Sequence, residues 1–168
     1  MKEHWLKGFH EVTTARCWPA VAGDISALLA TEVAAKDYFH THWSESGEYI
    51  RESFNDDARL AVWLRTVLPP YRGGGMTLFR GENAVRYNEG LIGFCWTEIE
   101  DAARMFGSGR NAFHGGGVLL RCDVLSSSII AGPGAHSRWL GESEYVVDPF
   151  SLSGIEVIDQ FADMSAHR

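Results

Sequence analysis

The feature that most constrains this chain is a break in pattern at residues 69–75, where Pro69-Pro70 is followed by Tyr71-Arg72-Gly73-Gly74-Gly75. Proline lacks the N–H a helix needs and fixes φ, and consecutive glycines leave the backbone unrestrained, so no regular element runs through this stretch. Before the break, apolar residues recur at helical spacing. After it they fall in short runs of strand character separated by glycine, serine and proline. Helices first and mostly strands afterwards describe an α+β domain rather than alternating βαβ units. At 168 residues the chain is the size of one domain, and its 45% hydrophobic content supplies a core. The expected organisation is therefore a single domain over 1–168, mainly helical over 1–70 and mainly strands over 76–160.

Asp24 is a candidate N-cap, with Ile25, Leu28, Leu29 and Val33 on one face and Phe39 and Trp43 continuing it. The next helix is clearer. After Asn55 and Asp56, the residues Leu60, Ala61, Leu64, Val67 and Leu68 form a continuous stripe that ends at Pro69. Strands are expected at 76–80, 91–95, 117–123, 128–131, 144–147 and 155–159. Between them Thr97-Glu98-Ile99-Glu100 reads as a T-x-x-E capping box, with Ile99, Ala102, Ala103 and Phe106 as the apolar face behind it.

Several function classes lose support. A formal charge of −7 disfavours broad attraction to nucleic acid, although a local basic groove remains compatible with it. No run approaches the ~18 apolar residues of a membrane helix, and the first ten residues lack the apolar stretch of a secretory signal, so a cytoplasmic site of action is expected. Cys17, Cys95 and Cys122 are odd in number and have no CxxC spacing, which suggests neither a disulfide framework nor a thiolate metal site. Of the seven histidines only His40 and His42 are close. Two residues apart on a helix they point to different sides, a poor chelate, and surface or capping positions are expected for them.

Three segments have the residue types for chemistry. In Phe79-Arg80-Gly81-Glu82 a strand ends in an arginine and then a glycine. A guanidinium there can fork onto a phosphate or carboxylate, or merely reach water or a neighbouring acid. In Cys95-Trp96-Thr97 a strand meets a helix start, where backbone amides can face a ligand. Thr97 also has a sufficient role as cap, and Cys95 reads as a small buried residue rather than a nucleophile, since no histidine is near in sequence. In Trp139-Leu140-Gly141-Glu142-Ser143-Glu144 two carboxylates share a face if the chain is extended, because side chains repeat every two residues. Such a pair either divides acid/base and electrostatic roles or lies on a solvated edge strand.

In order and spacing, these segments together resemble the Arg/Ser/Glu class of ADP-ribosyltransferases, which includes bacterial arginine-specific toxins. Phe79-Arg80-Gly81 is similar to that family's first-strand arginine. Cys95-Trp96-Thr97, with Ala103 and Phe106 behind it, falls where the family has Ser-Thr-Ser, five residues, an alanine, two residues and an aromatic. Glu142-Ser143-Glu144 resembles the Glu-x-Glu element, and Trp139 the aromatic of the substrate loop. Here a cysteine, Cys95, stands at the leading serine.

The resemblance implies an ADP-ribosyltransferase-like split β-sheet core with NAD as co-substrate and no metal. It implies cleavage of the nicotinamide–ribose bond and transfer of ADP-ribose to a protein acceptor through an arginine. Glu144 would stabilise the oxocarbenium-like state, and Glu142 would orient the acceptor guanidinium and take its proton. Arg80 and Gly81 would meet the NAD phosphates, with Cys95, Trp96, Thr97 and Phe106 around the cofactor and Trp139 against the acceptor. The same residues are compatible with water as acceptor, with transfer to another side chain or a nucleic-acid base, and with an NAD- or protein-binding module without turnover.

Overall fold

The computed structural model describes residues 2–167. Its first part is a helical layer of α1 (Lys2–Thr14), α2 (Trp18–Thr31), α3 (Val33–Phe54) and α4 (Asp57–Val67). The last of these follows the sequence closely. Asp56 Oδ1 accepts the Arg59 N–H (2.9 Å) as its N-cap, and Asn55, at φ 47°, turns the chain out of α3. Leu60, Ala61, Leu64, Val67 and Leu68 are all buried.

Two expectations upstream are corrected. Asp24 lies inside α2, which starts behind Cys17 with a proline in its first turn. Val33 is the first residue of α3 and is 78% exposed, because a new helix axis begins there and carries it off the buried stripe. The histidine expectation is corrected as well: His40 and His42 are buried, not on the surface. His42 shares a hydrogen bond with Thr13 Oγ1 (2.8 Å), which also accepts from Trp18 Nε1 (3.0 Å), so the ring ties α1, α2 and α3 together.

After the break come β1 (Met76–Asn83), α5 (Ala84–Asn88), β2 (Cys95–Thr97), α6 (Glu100–Ser108), β3 (Gly117–Val124), β4 (Ile129–Ala131), α7 (Ala135–Trp139), β5 (Glu144–Val147) and β6 (Glu156–Phe161). The six strands make one antiparallel sheet in the order β4-β5-β2-β1-β3-β6. An α+β domain is thus observed. Its joints are unequal: β1 and β3 pair continuously from Met76↔Val124 to Asn83↔Gly117, whereas β1 and β2 meet only at Phe79↔Thr97. Beyond that single pair the strands part.

Two apolar clusters flank the sheet. One joins the helical layer, built around Trp18, Phe39 and Trp63, to Phe94, Ile130, Ala131 and Val146. The other gathers Leu78, Trp96, Leu120, Tyr145 and Val147. Alternation along β2 and β5 explains the division, since Trp96 and Tyr145 face one cluster while Cys95 and Val146 face the other. The α6 helix reaches the sheet through glycines: a Cβ on Gly81 would overlap the main chain of Ala103 and Gly107, and one on Gly117 would overlap the Gly107 carbonyl. Among the described residues no helix is long and apolar enough to cross a membrane.

The second strand lies later than 91–95 because the N–H of Gly93 donates to the Glu82 carboxylate (2.9 Å), which holds that segment out of a ladder. The capping box is not formed. Thr97 belongs to β2, its Oγ1 accepts the Ile99 N–H (3.0 Å), and α6 starts only at Glu100, which pairs with Arg104 instead. Ile99 is consequently 39% exposed rather than part of the buried face.

Candidate active site

Where β1 and β2 part, a cleft of about 900 Å³ opens between the sheet and α3. Glu142, Glu144, Arg80, Gly81, Cys95, Trp96, Thr97 and Phe106 border it, so eight of the nine residues singled out in sequence meet there and Trp139 does not.

Glu144 opens β5, and its placement is built by α7. The Glu144 N–H donates to Ser137 Oγ (2.6 Å), while the Ser137 carbonyl accepts from the N–H groups of Glu142 (3.1 Å) and Ser143 (3.3 Å). Ser137 is fully buried, so this anchor is closed to water. Gly141 at φ 74° and Ser143 at φ 45° bend the chain between them. The two carboxylates therefore share the cleft through a turn and not, as expected, through the two-residue period of a strand. A glycine at 141 needs no strain to hold that φ, whereas Ser143 is fixed by its hydroxyl donating to Glu98 Oε1 (2.8 Å).

The Glu144 carboxyl sits in an unusual environment. Its Oε1 is buried without a hydrogen-bond partner. Its pKa is raised from 4.5 to about 7: burial drives the rise, the Cys95 thiol opposes it, the charge of Glu142 adds to it, and the charge of Arg80 opposes it. Thr97 stands directly opposite Glu144 in the ladder and Cys95 two pairs along, opposite Val146. Burial and the neighbouring Glu144 charge push the Cys95 thiol well above the ordinary range. Cys95 is thus a protonated, weak donor beside the carboxylate, not a nucleophile.

Arg80 is engaged inward. Its Nε donates to Glu82 Oε2 (2.8 Å) with Nη2 at the same distance, and its Nη1 donates to the Cys95 carbonyl (2.6 Å). Its side chain is 15% exposed, and it lies so close over Gly93 that a Cβ there would overlap the guanidinium. Arg80 bridges the gap between the parting strands and fixes the backbone of Cys95. Glu82, 2% exposed, also accepts the Asn83 N–H (2.9 Å). Burial works against its ionisation, but Arg80 and the two backbone N–H groups outweigh this and hold the carboxyl below its usual range.

The remaining sites divide. Phe106 borders the cleft from α6, half-buried. Gly81 also borders it, but its lack of a side chain serves the approach of α6. Trp96 adjoins the cleft, yet its ring is 1% exposed, packs in the second cluster and donates from Nε1 to the Gly93 carbonyl (3.1 Å). Trp139 lies on α7, 80% exposed and stacked on His136 (6.0 Å between centroids); Leu140, not Trp139, borders the cleft.

Sequence reasoning missed Glu82, Ser137, Arg51 and Arg86. An acid two residues after Arg80 on the same strand is a readable sign of a same-face pair. Nothing local marks Ser137, whose role is set by a turn six residues on. Among the described residues no cluster of three His, Cys, Asp or Glu is placed to hold a metal ion. No family model matches the chain, and no curated protein or solved structure matches it significantly.

Proposed function

We propose that this cleft cleaves NAD between nicotinamide and ribose and transfers the ADP-ribose to an acceptor, a protein arginine by preference. The observation that carries the reading is Glu144, a carboxylate whose Oε1 is buried without a partner on the wall of a nucleotide-sized cleft, beside a second carboxylate. An ionised carboxylate there has no ion-pair partner until a cation enters, since the nearby Arg80 is engaged with Glu82. An oxocarbenium-like ribose is such a cation, and a site that is unfavourable for the charge alone and favourable when the transition state forms is catalytic by differential stabilisation. The C–N bond breaks with its electron pair leaving on nicotinamide, which departs neutral. Glu144 faces the positive charge left on the ribose, as a carboxylate does in glycoside hydrolysis.

Glu142 borders the same cleft and suits the acceptor role. A guanidinium is protonated at neutral pH and attacks only as a carboxylate orients it and accepts its proton. The parting of β1 from β2 supports an ADP-ribosyltransferase-like split core, with Arg80 as the brace across the split, Cys95 in the serine's position against Glu144, and Thr97 opposite it. A second reading has water as acceptor. It is favoured by Trp139, which faces solvent on α7 rather than the cleft.

The division of roles is tested by Glu142→Ala. Nicotinamide release into water persists in this variant while transfer to a small guanidine acceptor is lost. Equal loss or equal retention of both reactions contradicts the assignment, and nicotinamide release by the wild type without any transfer to the guanidine supports water as the natural acceptor.

A further inference from the structure

Building on the NAD reading, we infer that the diphosphate of the ligand is held by Arg86 on α5, and not by the β1 arginine that the motif resemblance nominates. Four arginines border the cleft: Arg51, Arg80, Arg86 and Arg110. Arg51 forks onto Asp57, with Nε to Oδ1 at 2.8 Å and Nη2 to Oδ2 at 2.5 Å, and is 16% exposed. Arg80 is engaged with Glu82 and the Cys95 carbonyl. Arg110 pairs with Glu48 (2.7 Å) at the surface, 72% exposed.

Arg86 differs from all three. Its Nε stands 3.7 Å from Glu82 Oε1, on a carboxylate whose other oxygen already serves Arg80. Among the described residues its one side-chain hydrogen bond is Nη2 to the Leu91 carbonyl at 3.5 Å, and its side chain is 43% exposed. Two guanidinium groups on a single carboxylate leave one positive charge in surplus. Because Arg80 is inside and Arg86 outside, the surplus faces the cleft at Arg86. On the α3 side of the cleft Glu48 is balanced by Arg110, Glu45 faces His136 and Arg51 is committed to Asp57, while Glu52 has no cationic partner among the described residues. That side offers a dianion no unengaged positive charge, so it is at Arg86 that a diphosphate is accepted, with a planar fork available for bidentate contact.

Calorimetric titration of the purified protein with NAD, ADP-ribose, inorganic pyrophosphate and nicotinamide riboside tests this. Arg86→Gln weakens NAD, ADP-ribose and pyrophosphate by roughly 10- to 100-fold, the range of a charge-assisted hydrogen bond. It leaves nicotinamide riboside, which has no phosphate, unchanged. Arg86→Lys recovers part of the loss, and added salt weakens pyrophosphate binding in the wild type. Unchanged NAD and pyrophosphate affinity in Arg86→Gln overturns the assignment while leaving the NAD reading intact. Pyrophosphate binding that depends on Arg86, without any binding of NAD, upholds the anion site and removes the NAD reading. A wild type that binds none of the phosphate ligands overturns both.

Discussion

Replacing Glu144 by glutamine should make the protein more stable at alkaline pH. A carboxyl moved from 4.5 to about 7 on folding disfavours its ionised form by about 3 kcal/mol, at about 1.4 kcal/mol per pH unit. The sign follows from the folded value being the higher. The contribution is fully present below pH 4.5, where the group is protonated in both states, and is lost as pH rises through about 7. Glutamine keeps the shape and removes the charge. At pH 4 the two proteins should therefore unfold at nearly the same denaturant concentration. At pH 8.5 the variant should be more stable by about 2–3 kcal/mol, the lower figure allowing for water entering the cleft. For a chain of this size that is about 4–12 °C in Tm. Chemical denaturation of both proteins across this range measures it, and titrating groups not coupled to Glu144 cancel in the difference. A difference that does not change with pH, or a variant less stable at pH 8.5, refutes the view that Glu144 is held in the fold against its own charge.

Further outcomes follow from the same geometry. With free enzyme and NAD, kcat/KM for nicotinamide release should rise with pH through about 7 as Glu144 ionises, and a flat profile between pH 5.5 and 8.5 contradicts its role as the carboxylate. Ser137→Ala leaves the Glu144 N–H without its acceptor inside a closed turn; about 1–2 kcal/mol of stability should go, seen by denaturant melts, and kcat should fall more than KM changes. His42 is lowered from 6.5 to about 4 by burial, with His10 adding to it, so its neutral form contributes stability present above pH 6.5 and lost as pH falls through about 4. Thermal melts of His42→Gln should show a shallower decline over that window than the wild type.

What sequence could reveal was local, and what it missed was not. The α4 helix was legible because an N-cap, an unbroken apolar stripe and a terminating proline pair agree within a dozen residues. Strand β5 was legible because Glu144-Tyr145-Val146-Val147 has the right residue types beside a glycine turn. The start of β2 was missed because it depends on Glu82 capturing the Gly93 N–H, a contact between segments 11 residues apart. Both histidines of α3 were misplaced because their burial comes from distant segments, α1 and α2 over His42 and the start of α7 at Gly134 over His40. At the candidate site, Arg80, Glu142 and Glu144 were singled out from their types and order and all border the cleft, but what surrounds each was not legible. That Arg80 faces Glu82, that Ser137 anchors the carboxylate turn and that Arg86 is the surplus cation all depend on side-chain directions no spacing rule supplies.

The most direct test of the central claim is nicotinamide release from NAD, measured for the wild type and for the folded Glu144→Gln variant side by side, with and without a guanidine acceptor. Release by the wild type and none above background by Glu144→Gln is the result expected. Equal release by the two proteins, or none by a folded wild type under either condition, contradicts the claim that Glu144 cleaves NAD in this cleft.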